Sequence, residues 1–247
     1  MAVIPSDEPD PGHFEIDLVH HGCSGVTGLF TCIFQCIDVL SGWSERIAIL
    51  GYEFGAMWRA CDTFNRSHPI PVREIHTDNG PEFMNVPLIS CFGEAMVNAK
   101  LTRGLSGHKK HNRFVEQKNG SLVRAYPQGL CYHTPAHVIR LNALDEDMWL
   151  YYDFFQPVLR QTARGALMLS NSVCYINRHH DEAKTPLEHL LRAKPPIDGQ
   201  TADKLRDLYQ RTHPRELNRR IHDRLHHLAE VAEVAERDER RKALYSQ

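Results

Sequence analysis

Three carboxylates stand in contexts that suit divalent metal ions. Asp17 lies in the alternating stretch Phe14-Glu15-Ile16-Asp17-Leu18-Val19. Asp78 closes the run Glu74-Ile75-His76-Thr77-Asp78 and precedes Asn79-Gly80, a pair favoured in tight turns. Glu116 sits among amides and cations in His111-Asn112-Arg113-Phe114-Val115-Glu116-Gln117-Lys118-Asn119-Gly120. Mg²⁺ takes hard oxygen ligands and keeps several waters, so carboxylates from separate elements suit it. Two such ions about 3.5–4 Å apart can stabilise both the attacking and the leaving oxygen of an in-line displacement at phosphorus. Taken singly, each acid has a plainer explanation: an exposed strand residue, a turn residue, a helix-surface residue. The case rests on all three together.

The elements that would position them follow from periodicity. Alternation in Phe14 to His20 predicts a strand with Phe14, Ile16 and Leu18 on one face and Glu15 and Asp17 on the other. Leu29–Val39 and Ser44–Leu50 predict two further strands joined around Ser41-Gly42, with Trp43 in the core. Asp38 reads as structural. Glu53 to His68 predicts a helix burying Met57, Trp58, Cys61 and Phe64, ended by Pro69 and Pro71. Val72–Thr77 and Ala99–Thr102 predict strands, and Phe83–Met96 a helix interrupted near Pro87. Asn112 to Tyr126 predicts the helix carrying Glu116. At about 3.6 residues per turn, Asn112, Glu116 and Gly120 share one face, and Lys118 points away from it. Glu15, offset by one pleat from Asp17, and Glu82, where a helix N-terminus welcomes an acid, are set aside as ligands.

The ordered combination of Glu15-Ile16-Asp17, His76-Thr77-Asp78-Asn79-Gly80-Pro81-Glu82-Phe83 and Asn112-Arg113-Phe114-Val115-Glu116-Gln117-Lys118-Asn119 resembles the catalytic core of bacterial insertion-sequence transposases. These are the DDE recombinases related to retroviral integrases. The resemblance covers roughly residues 12 to 191, and the 38 positions from Asp78 to Glu116 are close to the family's usual spacing. It implies an α/β ribonuclease-H-like fold: a mixed five-stranded sheet flanked by helices, here with a helical C-terminal tail. It implies two Mg²⁺ ions, replaceable by Mn²⁺, held by Asp17, Asp78 and Glu116, with Asp17 bridging. It implies hydrolysis at DNA element ends followed by strand transfer into target DNA, and a homo-oligomer assembled on DNA. Lys109, Lys110, Asn112, Lys118, Asn119 and Arg124, with His76 and Asn79, are the candidate DNA contacts. Family members carry a helix-turn-helix region before the core; with the first predicted strand starting near residue 13, the expectation is a core without that region. Where relatives have an Arg-Pro-Tyr loop, the chain reads Leu105-Ser106-Gly107-His108-Lys109-Lys110-His111.

Composition bounds these readings. At 247 residues and 42% hydrophobic, the chain can bury a full core in one or two domains. A formal net charge of −2 gives no global basic signature. Local charge says more: seven cations oppose one acid between Lys100 and Arg124, which suits a polyanion near a metal cluster. Seven cysteines without a Cys-x-x-Cys pair argue against a zinc ribbon or a disulfide framework and predict a reducing compartment. Cys32 and Cys36 read as core residues sharing a strand face. No signal peptide or membrane-spanning run is evident, so the expectation is a bacterial cytoplasmic, DNA-associated protein.

The predicted organisation is a disordered tail over residues 1–12, an integrase-type core over 13–162, an irregular linker with a short helix over 163–198, and a helical extension over 199–247. In the core, Asn142 to Leu159 predicts an aromatic helix. In the linker, Thr185 caps a helix with Pro186 at its first position. In the extension, Leu217, Ile221, Leu225 and Leu228 form an apolar stripe for a partner helix in this chain or a second copy. Besides recombination, two readings compete. One is a catalytically impaired, truncated copy that binds DNA or dimerises as an inhibitor. The other is simple hydrolysis of RNA–DNA hybrids.

Overall fold

The computed structural model describes residues 10–21, 30–77, 99–103, 132–159, 161–169, 173–180 and 182–245. The first three strands, β1 (His13–His20), β2 (Thr31–Asp38) and β3 (Ser44–Leu50), form an antiparallel meander. Two short strands, β4 (Glu74–Thr77) and β5 (Lys100–Arg103), add to β1 in parallel, giving the order β3-β2-β1-β4-β5. This is an α/β fold, a mixed five-stranded sheet with helices on both faces, in a ribonuclease-H-like arrangement.

Both faces of the meander carry buried apolar residues because both are covered. On the first face Phe14, Ile16, Leu18, Cys32, Phe34 and Cys36 are buried against helix α1 (Phe54–Ser67). That helix buries Met57, Ala60, Cys61 and Phe64, a helical spacing. Phe14 and Phe64 meet edge to face, ring centroids 5.0 Å apart. On the second face Val19, Ile33 and Ala48 meet Leu141, Leu144 and Met148 of helix α2 (Pro135–Phe155).

Helix α2 starts well before the expected Asn142. Its start signal is local: Thr134 Oγ1 accepts from the His137 N–H, and Pro135 fills the first turn, where a missing N–H costs nothing. The helix also guards β3, an edge strand. The Asn142 side chain accepts from Ala48 N at 2.8 Å and donates to Ala48 O at 3.0 Å, standing in for a neighbouring strand. Asp153 accepts from Ser44 N at 3.1 Å. Unpaired edges invite other strands, so this cover stabilises the monomeric sheet.

The start of β1 is clasped to β2 and β4. Asp38 accepts from Gly12 N and from both the backbone N–H and the hydroxyl of Ser41, confirming its structural reading. Gly12 O accepts from Arg73 N and Glu74 N. Gly12 has φ +104°, and a Cβ there would stand 2.3 Å from Pro71 O, so only glycine fits.

Towards the C-terminus, residues expected to be irregular form a hairpin, β6 (Gln161–Leu169) and β7 (Val173–His180). Val158 and Lys184 extend the pairing beyond it as an isolated bridge. The β6 stretch hides its strand character behind Gly165 and few β-branched residues. Thr185 caps helix α3 (Pro186–Leu191) through a reciprocal pair with Glu188, as expected. Helices α4 (Gly199–Arg211) and α5 (Pro214–Tyr245) follow. The stripe of Leu217, Ile221 and Leu228 packs onto α2 of this same chain. Asp147 of α2 fixes the docking: its Oδ1 accepts from Arg220 at 2.8 Å and its Oδ2 from Arg224 at 2.6 Å. Among the described residues, no helix is long and apolar enough to cross a membrane.

Replacing Asn142 by Ala strands the N–H and C=O of Ala48, at a cost of about 1–3 kcal/mol. The urea midpoint of Asn142→Ala is expected to fall accordingly, and that of Asn142→Asp to fall as well, because it sets a second acceptor oxygen against the Ala48 carbonyl.

Candidate active site

The parallel pairing of β1 with β4 positions the one predicted ligand that is described. His13, Phe14, Glu15 and Ile16 stand opposite Glu74, Ile75, His76 and Thr77. Asp17 is the next residue of β1, and β4 ends one residue before Asp78 in the chain. Asp17 is half-buried, and its Oδ1 accepts from its neighbour's backbone, Leu18 N, at 2.8 Å. Asp78 and Glu116 lie outside the described residues, as do Asn79, Glu82, Lys109, Lys110, Asn112, Lys118, Asn119 and Arg124. Among the described residues, no group of three or more His, Cys, Asp or Glu side chains could hold a metal ion. The one predicted ligand that is described fits in kind: a hard carboxylate, half-exposed, beside the end of β4.

A polar face surrounds Asp17. Glu15, two residues earlier, shares that face, because an offset of one pleat runs along the strand and not through the sheet. It is buried, as is its cross-strand neighbour His76. His76 was a candidate DNA contact, and its complete burial removes it from that role. Its Nδ1 lies 2.9 Å from Thr102 Oγ1, and that hydroxyl donates to Glu74 Oε1 at 2.8 Å. A hydroxyl carries one proton, so Nδ1 is the donor towards Thr102, which fixes the His76 tautomer. Glu74 also meets His13 at 3.4 Å and Lys100 at 3.6 Å. This chain ties β1, β4 and β5 together on the face that carries Asp17.

On the other side of Asp17 the register places Gln35 of β2 and then Arg46 of β3. Arg46 is buried and ion-paired to Asp145 of α2, Nε to Oδ1 at 3.2 Å. Burial pushes the Asp145 carboxyl up to about 6, and Arg46 offsets only part of that. On the opposite face burial raises Glu45 to about 7, although its carboxylate accepts from Trp43 Nε1 at 3.1 Å. Gln35, Arg46 and Asp145 were not legible as a group in the sequence. The one signal was a Gln inside the otherwise apolar run Cys32-Ile33-Phe34-Gln35-Cys36-Ile37.

No known protein family matches the chain. A curated protein of Sinorhizobium fredii (strain NBRC 101917 / NGR234), described as the uncharacterized protein y4rM, is 29% identical over 155 residues. That match covers 61% of this chain and 43% of the relative, so the chain spans less than half of the relative's length. A solved simian T-cell lymphotropic virus intasome, in complex with PP2A regulatory subunit B56 gamma, is similar at 18% identity and a TM-score of 0.36. It covers 47% of this chain and 40% of that one.

Asp145 and Glu45 bind protons more tightly in the folded protein than in the unfolded chain, where carboxyls titrate near pH 4. Their stabilisation is therefore complete below about pH 4. It is lost as pH rises through about 6 for Asp145 and about 7 for Glu45. Urea denaturation from pH 4 to 8 is expected to show this decline. Asp145→Asn is expected to flatten its lower part and Glu45→Gln its upper part.

Proposed function

We propose that the chain is the catalytic part of a metal-dependent DNA recombinase of the transposase and integrase kind. The observation that supports this reading most is the in-register parallel pairing of His13–Ile16 with Glu74–Thr77. Asp17 and Asp78 are the residues that immediately follow the last pair. Consecutive Cα atoms lie about 3.8 Å apart across a trans peptide, so the pairing sets Asp17, in mid-β1, beside the end of β4, to whose last residue Asp78 is bonded. The order of the three motifs in the sequence supplies the third acid, Glu116.

Asp17, Asp78 and Glu116 would hold two Mg²⁺ or Mn²⁺ ions. When bound, such ions activate the attacking oxygen and stabilise the leaving oxygen of a phosphodiester. The chain's own part is to orient the Asp17 carboxylate. Its Oδ1 is held by the bond from Leu18 N, and its intermediate burial leaves the carboxylate open to solvent on one side. The rigid, doubly covered sheet fixes the strand that carries it. Lys109, Lys110, Asn112, Lys118, Asn119 and Arg124 would steer the DNA backbone by charge and hydrogen bonds, which gives affinity without reading sequence. Assembly of several copies on DNA belongs to the same proposal.

The test uses the full chain, supercoiled plasmid and Mn²⁺. Nicking or joining is expected with Mn²⁺ or Mg²⁺ and none with EDTA. Asp17→Asn, Asp78→Asn and Glu116→Gln are each expected to reduce it to background while leaving the thermal midpoint near wild type. Activity that persists in Asp17→Asn rejects the assignment. Preference for RNA–DNA hybrid over duplex DNA would move the substrate to the hybrid.

A further inference from the structure

Gln35 is an anomaly that the fold does not explain. It is completely buried in the middle of β2, yet among the described residues neither its Oε1 nor its Nε2 has a hydrogen-bond partner. Buried polar side chains almost always find partners, so each orphan needs a reason. Its position supplies one. Gln35 stands directly across from Asp17 in the β1–β2 register and directly across from Arg46 in the β2–β3 register. Directly opposed residues share a face of the sheet, with Cβ atoms about 4.5–5.5 Å apart. Asp17, Gln35 and Arg46 therefore form one row, which ends on Asp145 through the Arg46 ion pair.

The polarity of that row is dictated by its members. A guanidinium only donates and an ionised carboxylate only accepts. The carboxamide between them carries both an acceptor and a donor, so it can serve both when its oxygen is turned towards Arg46 and its nitrogen towards Asp17. Arg46 cannot turn away, because it is buried and Asp145 holds it.

We propose that Gln35 is the positioning residue of Asp17. Its amide nitrogen donates to the Asp17 carboxylate when that carboxylate engages cations, and its amide oxygen accepts from Arg46. The orphaned amide is a partner held ready for the loaded site. Partners behind a ligand orient it, and their loss typically weakens metal binding by about 10–100-fold. This proposal rests on the reading of Asp17 as a metal ligand.

The test is a Mn²⁺ titration of the full chain without DNA, followed by the free-ion electron paramagnetic resonance signal. Thermal midpoints are measured alongside. Gln35→Leu is expected to weaken Mn²⁺ binding by about 10–100-fold. Its metal-free thermal midpoint is expected to stay level or rise, because an unsatisfied buried amide is removed. A purely structural Gln35 would give no such opposition of signs. Gln35→Asn, which keeps the amide on a shorter stem, is expected to fall between. Wild-type affinity in Gln35→Leu overturns the role of Gln35 alone, provided Asp17→Asn has lost the ion. Absence of Mn²⁺ binding in the wild type, or its survival in Asp17→Asn, overturns both this proposal and the metal-site reading.

Discussion

The rest of the structure depends on the register between β1 and β4. Four residue pairs, His13 with Glu74 through Ile16 with Thr77, join two parts of the chain that are distant in sequence. Side chains alternate across a sheet, so a slip of one residue would exchange the two faces of a strand. Phe14 and Ile16 would then leave the α1 core, and Glu15 would enter it. The apolar face against α1 thus enforces the register, and the register places Asp17 beside the end of β4. Gly12 and Asp38 fix the first rung, since Gly12 bonds to the Asp38 side chain and to the backbone of Arg73 and Glu74.

The second face works differently from the first. Towards α1 the sheet presents mainly hydrocarbon and sulfur. Towards α2 it combines an apolar patch of Val19, Ile33 and Ala48 with buried polar residues at Glu15, His76, Gln35 and Arg46. Burying such groups costs free energy unless they are paired, and most are: His76 through Thr102 to Glu74, Arg46 to Asp145. A core built only for stability would replace them with hydrocarbon, so stability alone does not account for them.

Much of the fold was legible because its signals are local. The alternation of Phe14, Ile16 and Leu18, the turn before Trp43 and the spacing of Met57, Cys61 and Phe64 each declare an element within a dozen residues. The Thr185-Pro186 cap did the same. Where the signal was weak or non-local, expectation failed. The Thr134-Pro135 start of α2 was overshadowed by the aromatic run after Asn142. The β6–β7 hairpin has a first strand with little β-forming composition. Of the site, Asp17 could be placed on a strand and given a face. The company of Gln35, Arg46 and Asp145 could not, because that row exists only once three strands and a helix are in register. The burial of His76 is likewise a property of neighbours on β5 and not of its own strand.

The topology also fixes an order of assembly. The meander from His13 to Leu50 pairs strands that are neighbours in sequence, so its loops close at low entropic cost. β4 must return across α1 to reach β1, and β5 must follow it, closures over longer stretches of chain. Contacts of greater sequence separation form more slowly. The pairing of Asp17 with Gln35 thus belongs to the sequence-local meander, whereas the placement of Asp17 beside the end of β4 depends on the longer closures.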